Sequence, residues 1–114
     1  MQLINTEETR FWCPEGHDDV VSQEVCRTDL GASKAIVHIP TIKPGDGSDV
    51  DPHPASEQVF VMLSGELTFR DGTGKELVAG PGSAVFVPIS DPHGTHNKGT
   101  EGAVCLVVTA PPIK

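Results

Sequence analysis

Residues 45–65 read GDGSDVDPHPASEQVFVMLSG, and residues 82–97 read GSAVFVPISDPHGTHN. In each stretch, turns containing glycine or proline adjoin a short run of β-branched and aromatic residues, and each stretch carries histidine beside other polar side chains. Glycine and proline are typical of turns, whereas β-branched and aromatic residues are typical of strands. The two stretches therefore predict strands whose ends present groups able to bind a metal or a small molecule.

Short runs with strand character recur along the chain. The clearest are Ala35–Ile42, Gln58–Leu63, Glu66–Arg70, Ser83–Val87 and Ala103–Thr109, and the weaker candidates are Arg10–Cys13, Val20–Arg27 and Lys75–Val78. Twelve glycines and ten prolines punctuate the sequence, and residues 18–30 show only a weak helical pattern. Many short strands separated by such turns indicate an all-β sandwich or barrel, and the length of 114 residues predicts a single domain, 1–114. Asp-Gly-Thr-Gly between residues 66–70 and 75–78 predicts a β-hairpin.

Strand alternation separates the side chains of the run that begins at Gln58 into two rows. Gln58, Phe60 and Met62 form one row, and the residues between them, Val59, Val61 and Leu63, form the other. Both rows are apolar after Gln58, which is expected where one row lines a barrel and the other packs on a second sheet or subunit. A buried amide at Gln58 needs a partner, which a metal, a water or a ligand would supply, although an ordinary hydrogen-bonded glutamine at a strand end is the alternative.

Two further polar segments are candidates for metal ligation. Asp51 and His53 lie two positions apart in a proline-rich loop, so in an extended segment they project to one side. A carboxylate and an imidazole together are a possible half-site for Zn, Mn, Fe or Ni, and a loop with surface charge is the alternative. In the second stretch, alternation puts His93 on one face and His96 on the other. We therefore expect His93 to be the ligand and His96 to be a surface or interface residue.

The composition excludes several classes of partner. The net charge of −8 and the pI of 4.9 oppose binding to nucleic acid or to an anionic membrane surface, since both require clustered Lys and Arg. No run approaches the roughly 20 apolar residues of a spanning helix. The N-terminus has no basic stretch followed by an apolar one, so a cytoplasmic location is expected. Cys13, Cys26 and Cys105 have no zinc-site spacing and are expected to be reduced, mostly buried thiols.

The two quoted stretches resemble the two motifs of the cupin superfamily, small β-barrels of the jelly-roll or double-stranded β-helix type. The first motif, approximately residues 45–65, matches at both end glycines and at its second histidine, His53, while Asp51 stands at the first histidine position and Gln58 at the glutamate position. The second motif, approximately residues 82–97, matches at Gly82, Pro88, His93 and Asn97, and Ser90 replaces its middle glycine. Glu57 is a rival to Gln58, because it lies at the shorter spacing that the family also permits.

The resemblance implies one divalent metal ion (Zn, Mn, Fe or Ni) held by Asp51, His53, Gln58 and His93, and a homodimer. It favours a metal-dependent enzyme that acts on a small organic substrate, by isomerase, lyase or polyketide-cyclase-like chemistry through an enolate-like intermediate. An Fe- or Mn-dependent dioxygenase and a non-catalytic cupin that binds a small ligand are the alternatives. The catalytic acid or base is unassigned, and Glu57, His96, His38 and a metal-bound hydroxide are the candidates.

Overall fold

The computed structural model describes residues 1–6, 11, 12, 21–51 and 55–112. Within these ranges the chain forms ten strands: β1 (Phe11–Trp12), β2 (Val21–Cys26), β3 (Ile36–Ile42), β4 (Gly47–Asp51), β5 (Glu57–Ser64), β6 (Leu67–Asp71), β7 (Glu76–Ala79), β8 (Ala84–Val87), β9 (His93–His96) and β10 (Ala103–Ala110). The prediction of an all-β fold is confirmed. No helix in the described ranges is long and apolar enough to cross a membrane.

The strands form two antiparallel sheets. The larger sheet has the order β1-β2-β3-β10-β5-β8, and the smaller has the order β4-β9-β6-β7. Sequence-distant strands lie side by side in both sheets, as β10 does between β3 and β5. This arrangement is the predicted jelly-roll barrel. Strands β7 and β8 each end their sheet, so the two sheets are not joined by strand pairing at that position in the described structure.

Most strand predictions agree with the structure. Each of the five clear runs forms a strand with boundaries shifted by one residue or less at either end, and two of the weaker runs form β2 and β7. The prediction at Arg10–Cys13 corresponds to β1, whose flanking residues lie outside the described ranges. Two strands were not predicted, β4 and β9. Their sequences, Gly-Ser-Asp-Val-Asp and His-Gly-Thr-His, are poor in strand-favouring residues, so pairing with neighbours holds them extended.

The predicted hairpin is formed by β6 and β7, which pair from Leu67↔Ala79 to Arg70↔Glu76. The Asp71 carboxylate closes its turn by accepting hydrogen bonds from the backbone N–H of Thr73 (2.9 Å), the Thr73 hydroxyl (2.6 Å) and the backbone N–H of Lys75 (3.0 Å). Gly74 takes a φ of +90°, whereas Gly72 is not among the residues with positive φ. One left-handed residue is therefore enough to reverse the chain here.

The core lies between the sheets and is built from residues of β3, β5, β6, β7, β8 and β10. Its buried apolar members are Ile42, Phe60, Met62, Leu67, Phe69, Ala79, Val87, Ala103, Cys105 and Val107. The rings of Phe60 and Phe69 meet edge to face with centroids 5.1 Å apart, which links the larger sheet to the smaller one. The inner surface of the barrel is therefore apolar where the two sheets face each other.

Candidate metal site in the barrel interior

Gln58 faces the barrel interior, as alternation predicted. Gln58, Phe60 and Met62 are buried, whereas Glu57 is exposed on the outer row of β5. The Gln58 side-chain amide donates a hydrogen bond from Nε2 to Thr109 Oγ1, which lies directly opposite on β10, at 3.0 Å. Its carbonyl oxygen Oε1 is buried and has no hydrogen-bond donor among the described residues. A buried carbonyl oxygen without a donor is an acceptor available to a bound ion or molecule.

His93 begins β9 and also faces the interior. Its ring packs edge to face on Phe60, with centroids 5.7 Å apart. His93 Nδ1 lies 3.3 Å from the backbone carbonyl oxygen of Asp91. That contact favours the tautomer in which Nδ1 carries the proton and Nε2 carries the lone pair, the arrangement that metal-binding histidines adopt.

The other two predicted ligands are described only in part. The backbone of Asp51 pairs with His93 across β4 and β9, so the two residues lie directly opposite each other. The Asp51 side chain and the whole of His53 lie outside the described structure. Among the side chains that are described, no group of three or more His, Cys, Asp and Glu residues is close enough to hold a metal.

The turn residues of the two quoted stretches bring their ends together. Gly45 donates its backbone N–H to the carbonyl of Asn97 at 2.8 Å, and the Asn97 N–H returns a hydrogen bond to the carbonyl of Asp46 at 2.9 Å. The buried Asn97 side chain donates to the carbonyls of Ile42 (2.9 Å) and Glu101 (2.7 Å). Asn97 therefore fixes the backbone that carries β4 and β9.

Ser90 occupies a position with a special backbone conformation. Its φ of 67° is positive, and Ser90 is the one residue other than glycine for which the described structure records this. Side chains destabilise this left-handed region, and glycine does not. The backbone geometry at Ser90 gives a physical reason for the glycine of the motif that the second stretch resembles.

A cavity of about 200 Å³ opens beside His93. Its lining comes from β6, from β7 and the residue before it, from β8, and from the start of β9 and the two residues before it: Phe69, Arg70, Asp71, Lys75, Glu76, Leu77, Val85, Phe86, Val87, Asp91, Pro92 and His93. On β8, Val85 and Val87 face inward and Phe86 is largely exposed. Sequence reasoning missed this cavity, because it depends on β7 and β8 being the ends of two different sheets.

The remaining candidate acids and bases occupy different surroundings. His96 is exposed and lines a separate groove of about 520 Å³ on the outer side of the smaller sheet, so it is a surface residue as expected. His38 pairs with the buried Val107 and is half-buried on the inner row of β3. Burial raises the pKa of the Cys105 thiol to about 12, so Cys105 is a thiol at neutral pH and not a nucleophilic thiolate.

The architecture defines the class of protein: a double-stranded β-helix barrel whose interior contains a buried polar amide, a histidine and a cavity beside that histidine. The family model of the cupin domain matches residues 38–109, which is more than half of the chain, and the chain belongs to this family. No curated protein matches the sequence.

Solved structures agree with the fold. The polyketide cyclase RemF from Streptomyces resistomycificus superposes with a TM-score of 0.87 at 20% identity, covering 98% of this chain and 80% of that one. A predicted oxalate decarboxylase from Thermotoga maritima superposes with a TM-score of 0.83 at 16% identity, covering 97% of this chain and 100% of that one. The protein TT1209 from Thermus thermophilus superposes with a TM-score of 0.76 at 29% identity, covering 97% of this chain and 98% of that one. These proteins carry different names on one architecture, so the fold alone does not assign the reaction.

Proposed function

We propose that this cupin binds one divalent metal ion at the end of its barrel and is a metal-dependent enzyme that acts on a small organic substrate. The observation that carries the proposal is the buried Gln58 Oε1, which has no hydrogen-bond donor within the described part of the chain. A buried polar atom without a partner costs about 1–3 kcal/mol, so such an atom is expected to have a function. Zn, Mn, Fe and Ni all accept nitrogen and oxygen donors of this kind.

The residues present fit such an ion. Gln58 supplies a neutral oxygen, and His93 supplies an imidazole whose Nδ1 already faces a backbone carbonyl. Asp51 lies opposite His93 in the β4–β9 pairing, which supports a carboxylate donor on the same part of the barrel. Together with His53, these residues form the proposed set of two histidines, one carboxylate and one amide.

The cavity beside His93 supports a catalytic role over a metal that is enclosed for structural reasons, because a small molecule in the cavity would contact His93. When bound, a divalent cation polarises a carbonyl oxygen and stabilises negative charge that develops on it. The chain's own contribution is to position the ligating side chains. Phe60 packs on the His93 ring, and Phe69, Val85 and Val87 give the adjoining cavity an apolar lining. We therefore favour isomerase, lyase or cyclase reactions, in which charge builds on a substrate oxygen.

Elemental analysis of untagged protein purified without chelator tests the metal. Wild type should carry close to one metal per chain, whereas His53→Ala and His93→Ala should lose it. His96→Ala is the matched control, since His96 lies three residues beyond His93 and is exposed outside the barrel. Wild-type protein that stays metal-free after reconstitution with Fe, Mn, Ni and Zn would refute the proposal and leave a non-catalytic ligand-binding barrel.

The reaction class is tested by proton exchange. Metal-loaded protein in D₂O should catalyse exchange of the protons next to the carbonyl group in a panel of cyclic ketones, followed by ¹H NMR, and His93→Ala should abolish the exchange. Oxygen consumption measured with the same compounds separates this chemistry from that of a dioxygenase. Oxygen uptake in the absence of proton exchange would replace the isomerase, lyase or cyclase class by the dioxygenase.

We also infer a homodimer that uses the outer side of the larger sheet. The apolar row Phe86, Val59, Val108 and Val37 crosses four neighbouring strands, and Phe86 is 59% exposed. A continuous apolar row on the outside of a barrel is typical of an interface between subunits. Sedimentation equilibrium should give twice the mass of 12.0 kDa, and Val59→Lys should give the mass of the single chain. A wild-type monomer at micromolar concentration would refute the inference.

A further inference from the structure

The opening between β7 and β8 limits what the proposed site can accept. These two strands end the smaller and the larger sheet, respectively, so within the described structure no strand covers the space between them. The cavity that reaches His93 lies in this gap. A ligand that reaches His93 by this route must fit between the side chains of β7 and β8.

Leu77 shows that the gap exposes an interior surface. It lies directly opposite Phe69, so both side chains are on the inner face of the smaller sheet. Phe69 is 4% exposed, whereas Leu77 is 50% exposed. Side chains on the inner face of a barrel are ordinarily covered by the facing sheet. Leu77 instead borders the cavity, and with Val85 and Phe69 it gives the cavity an apolar wall.

The volume of the cavity restricts the size of the ligand. Cavities of about 150 Å³ lined by Leu, Ile and Phe bind benzene, and pockets for drug-sized ligands span about 300–1,000 Å³. At about 200 Å³, this cavity lies just above the first value and below the second range. It holds one ring with one or two small substituents, and because the cavity is open at the gap between β7 and β8, a second fused ring would remain in solvent.

The charges of the lining favour a neutral ligand. The charged residues of the lining are two cations, Arg70 and Lys75, and three carboxylates, Asp71, Glu76 and Asp91. Arg70 is already held by Glu76 in a salt bridge of 2.8 Å, and the Asp71 carboxylate is occupied by its own turn. Of the described lining residues, Lys75 is therefore the cation left to attract an anionic group, and Asp91 opposes it. A phosphorylated ligand would be poorly accommodated.

We propose that the substrate class is a neutral, single-ring compound with an oxygen function on one edge. Its ring lies against Leu77 and Val85, and its oxygen points toward His93. This inference rests on the proposed function for the role of the oxygen, whereas the ring size and the neutral charge follow from the cavity alone. It selects a narrow group of substrates within the isomerase, lyase and cyclase chemistry.

The test uses metal-free protein, so that it does not depend on the metal. Binding of acetophenone, 2-acetylnaphthalene and glucose 6-phosphate is measured by saturation-transfer NMR. Acetophenone should bind. 2-Acetylnaphthalene should bind no more tightly than acetophenone, because its second ring gains no contact inside the cavity, and glucose 6-phosphate should bind at least about tenfold more weakly, because its phosphate is poorly accommodated there. Leu77→Gln should weaken acetophenone binding roughly five- to tenfold by removing apolar contact.

Val78→Gln is the matched control. Val78 is the neighbour of Leu77 on β7, is 63% exposed, and does not line the cavity. Its substitution should leave acetophenone binding unchanged. Tighter binding of the two-ring ketone than of acetophenone, equal loss in both variants, or no binding of acetophenone would overturn the inference. Metal in the protein without acetophenone binding refutes this inference alone, whereas acetophenone binding in a protein that cannot hold metal refutes only the proposed function.

Discussion

The pair formed by Gln58 and Thr109 offers a direct measurement of the unsatisfied oxygen on which the metal proposal rests. Gln58 is 7% exposed and Thr109 is 1% exposed. Their side chains share one hydrogen bond of 3.0 Å, and the second polar atom of the Gln58 amide, Oε1, has no donor in the described structure. Replacing one partner or both therefore separates the contribution of the hydrogen bond to the free energy of unfolding from the destabilising contribution of the unsatisfied oxygen.

The expected changes in the free energy of unfolding follow from the two polar atoms of the Gln58 amide, Nε2 and Oε1. Thr109→Val leaves Gln58 Nε2 without its acceptor while Oε1 stays unsatisfied, so unfolding free energy should fall by about 1–3 kcal/mol. The double variant Gln58→Met with Thr109→Val loses one hydrogen bond worth about 1 kcal/mol but removes a buried oxygen that costs about 1–3 kcal/mol. Metal-free double variant should therefore be as stable as wild type, or more stable by up to about 2 kcal/mol.

The assay is equilibrium denaturation in urea with a chelator present, for wild type, both single variants and the double variant. Thermal unfolding gives the same comparison, because at this chain length Tm shifts by about 4 °C for each kcal/mol of stability. The double variant should also fail to bind metal, since it lacks the proposed amide ligand. A double variant that is less stable than wild type by more than about 1 kcal/mol would show that the Gln58 carbonyl is already satisfied in the metal-free protein, and the reasoning would fail.

Four other predictions test individual residues. Ser90→Gly should be more stable than Ser90→Ala by about 1 kcal/mol in urea denaturation, because the φ of residue 90 is 67°. At a position with negative φ the glycine variant is the less stable of the two, so that order would contradict the positive φ at residue 90. Since burial raises the pKa of the Cys105 thiol to about 12, iodoacetamide at pH ~8 should not modify it in native protein, as read by mass spectrometry; rapid modification would contradict its burial. Hydrogen bonds from its own turn lower the pKa of Asp71, so its stabilising effect is present above pH ~4 and is lost as the pH falls through the lowered pKa; Asp71→Asn should reduce stability at pH ~7 by more than at pH ~2, and a constant difference would contradict this. Asp51→His combined with Gln58→Glu restores the ligand pattern of the family and should bind metal as wild type does, whereas Asp51→His alone should bind less by elemental analysis; a metal-free double variant would contradict the ligand set.

The sequence predicted those elements whose signal is local. Alternation along β5 assigned Gln58 to the inside, because side chains alternate between the two faces of a strand and every second one lies on the buried face. The same rule separated His93 from His96. The hairpin of β6 and β7 followed from its turn residues, since a left-handed residue such as Gly74 is required to reverse the chain there.

The strands β4 and β9 escaped prediction, because what holds them extended is not local. A Cβ atom on Gly47 would clash with the carbonyl oxygen of Thr95, and a Cβ atom on Gly94 would lie 2.8 Å from that of Ser48. Ser48 and Thr95 also share a hydrogen bond between their hydroxyls at 3.0 Å. The strands therefore approach closely because both carry glycine, and a sequence that is read along one strand does not reveal which other glycine it meets. The cavity at the β7–β8 opening is hidden for the same reason, since it follows from the order of strands in two sheets.

The two departures from the family pattern have a common physical reading. In the proposed ligand set, Asp51 adds a carboxylate where the pattern has histidine, and Gln58 removes one where the pattern has glutamate, so the set keeps one carboxylate and the same charge with a divalent metal. A carboxylate at position 58, which is 7% exposed, would be a buried charge whenever the metal is absent, and such a charge is costly without a partner. Asp51 ends β4, which is an edge strand of the smaller sheet. Glutamine at position 58 avoids that cost in the metal-free barrel, and the proposed set still offers one carboxylate to a cation. We therefore expect the metal-free chain to fold on its own, and metal binding to contribute to chemistry and not to folding.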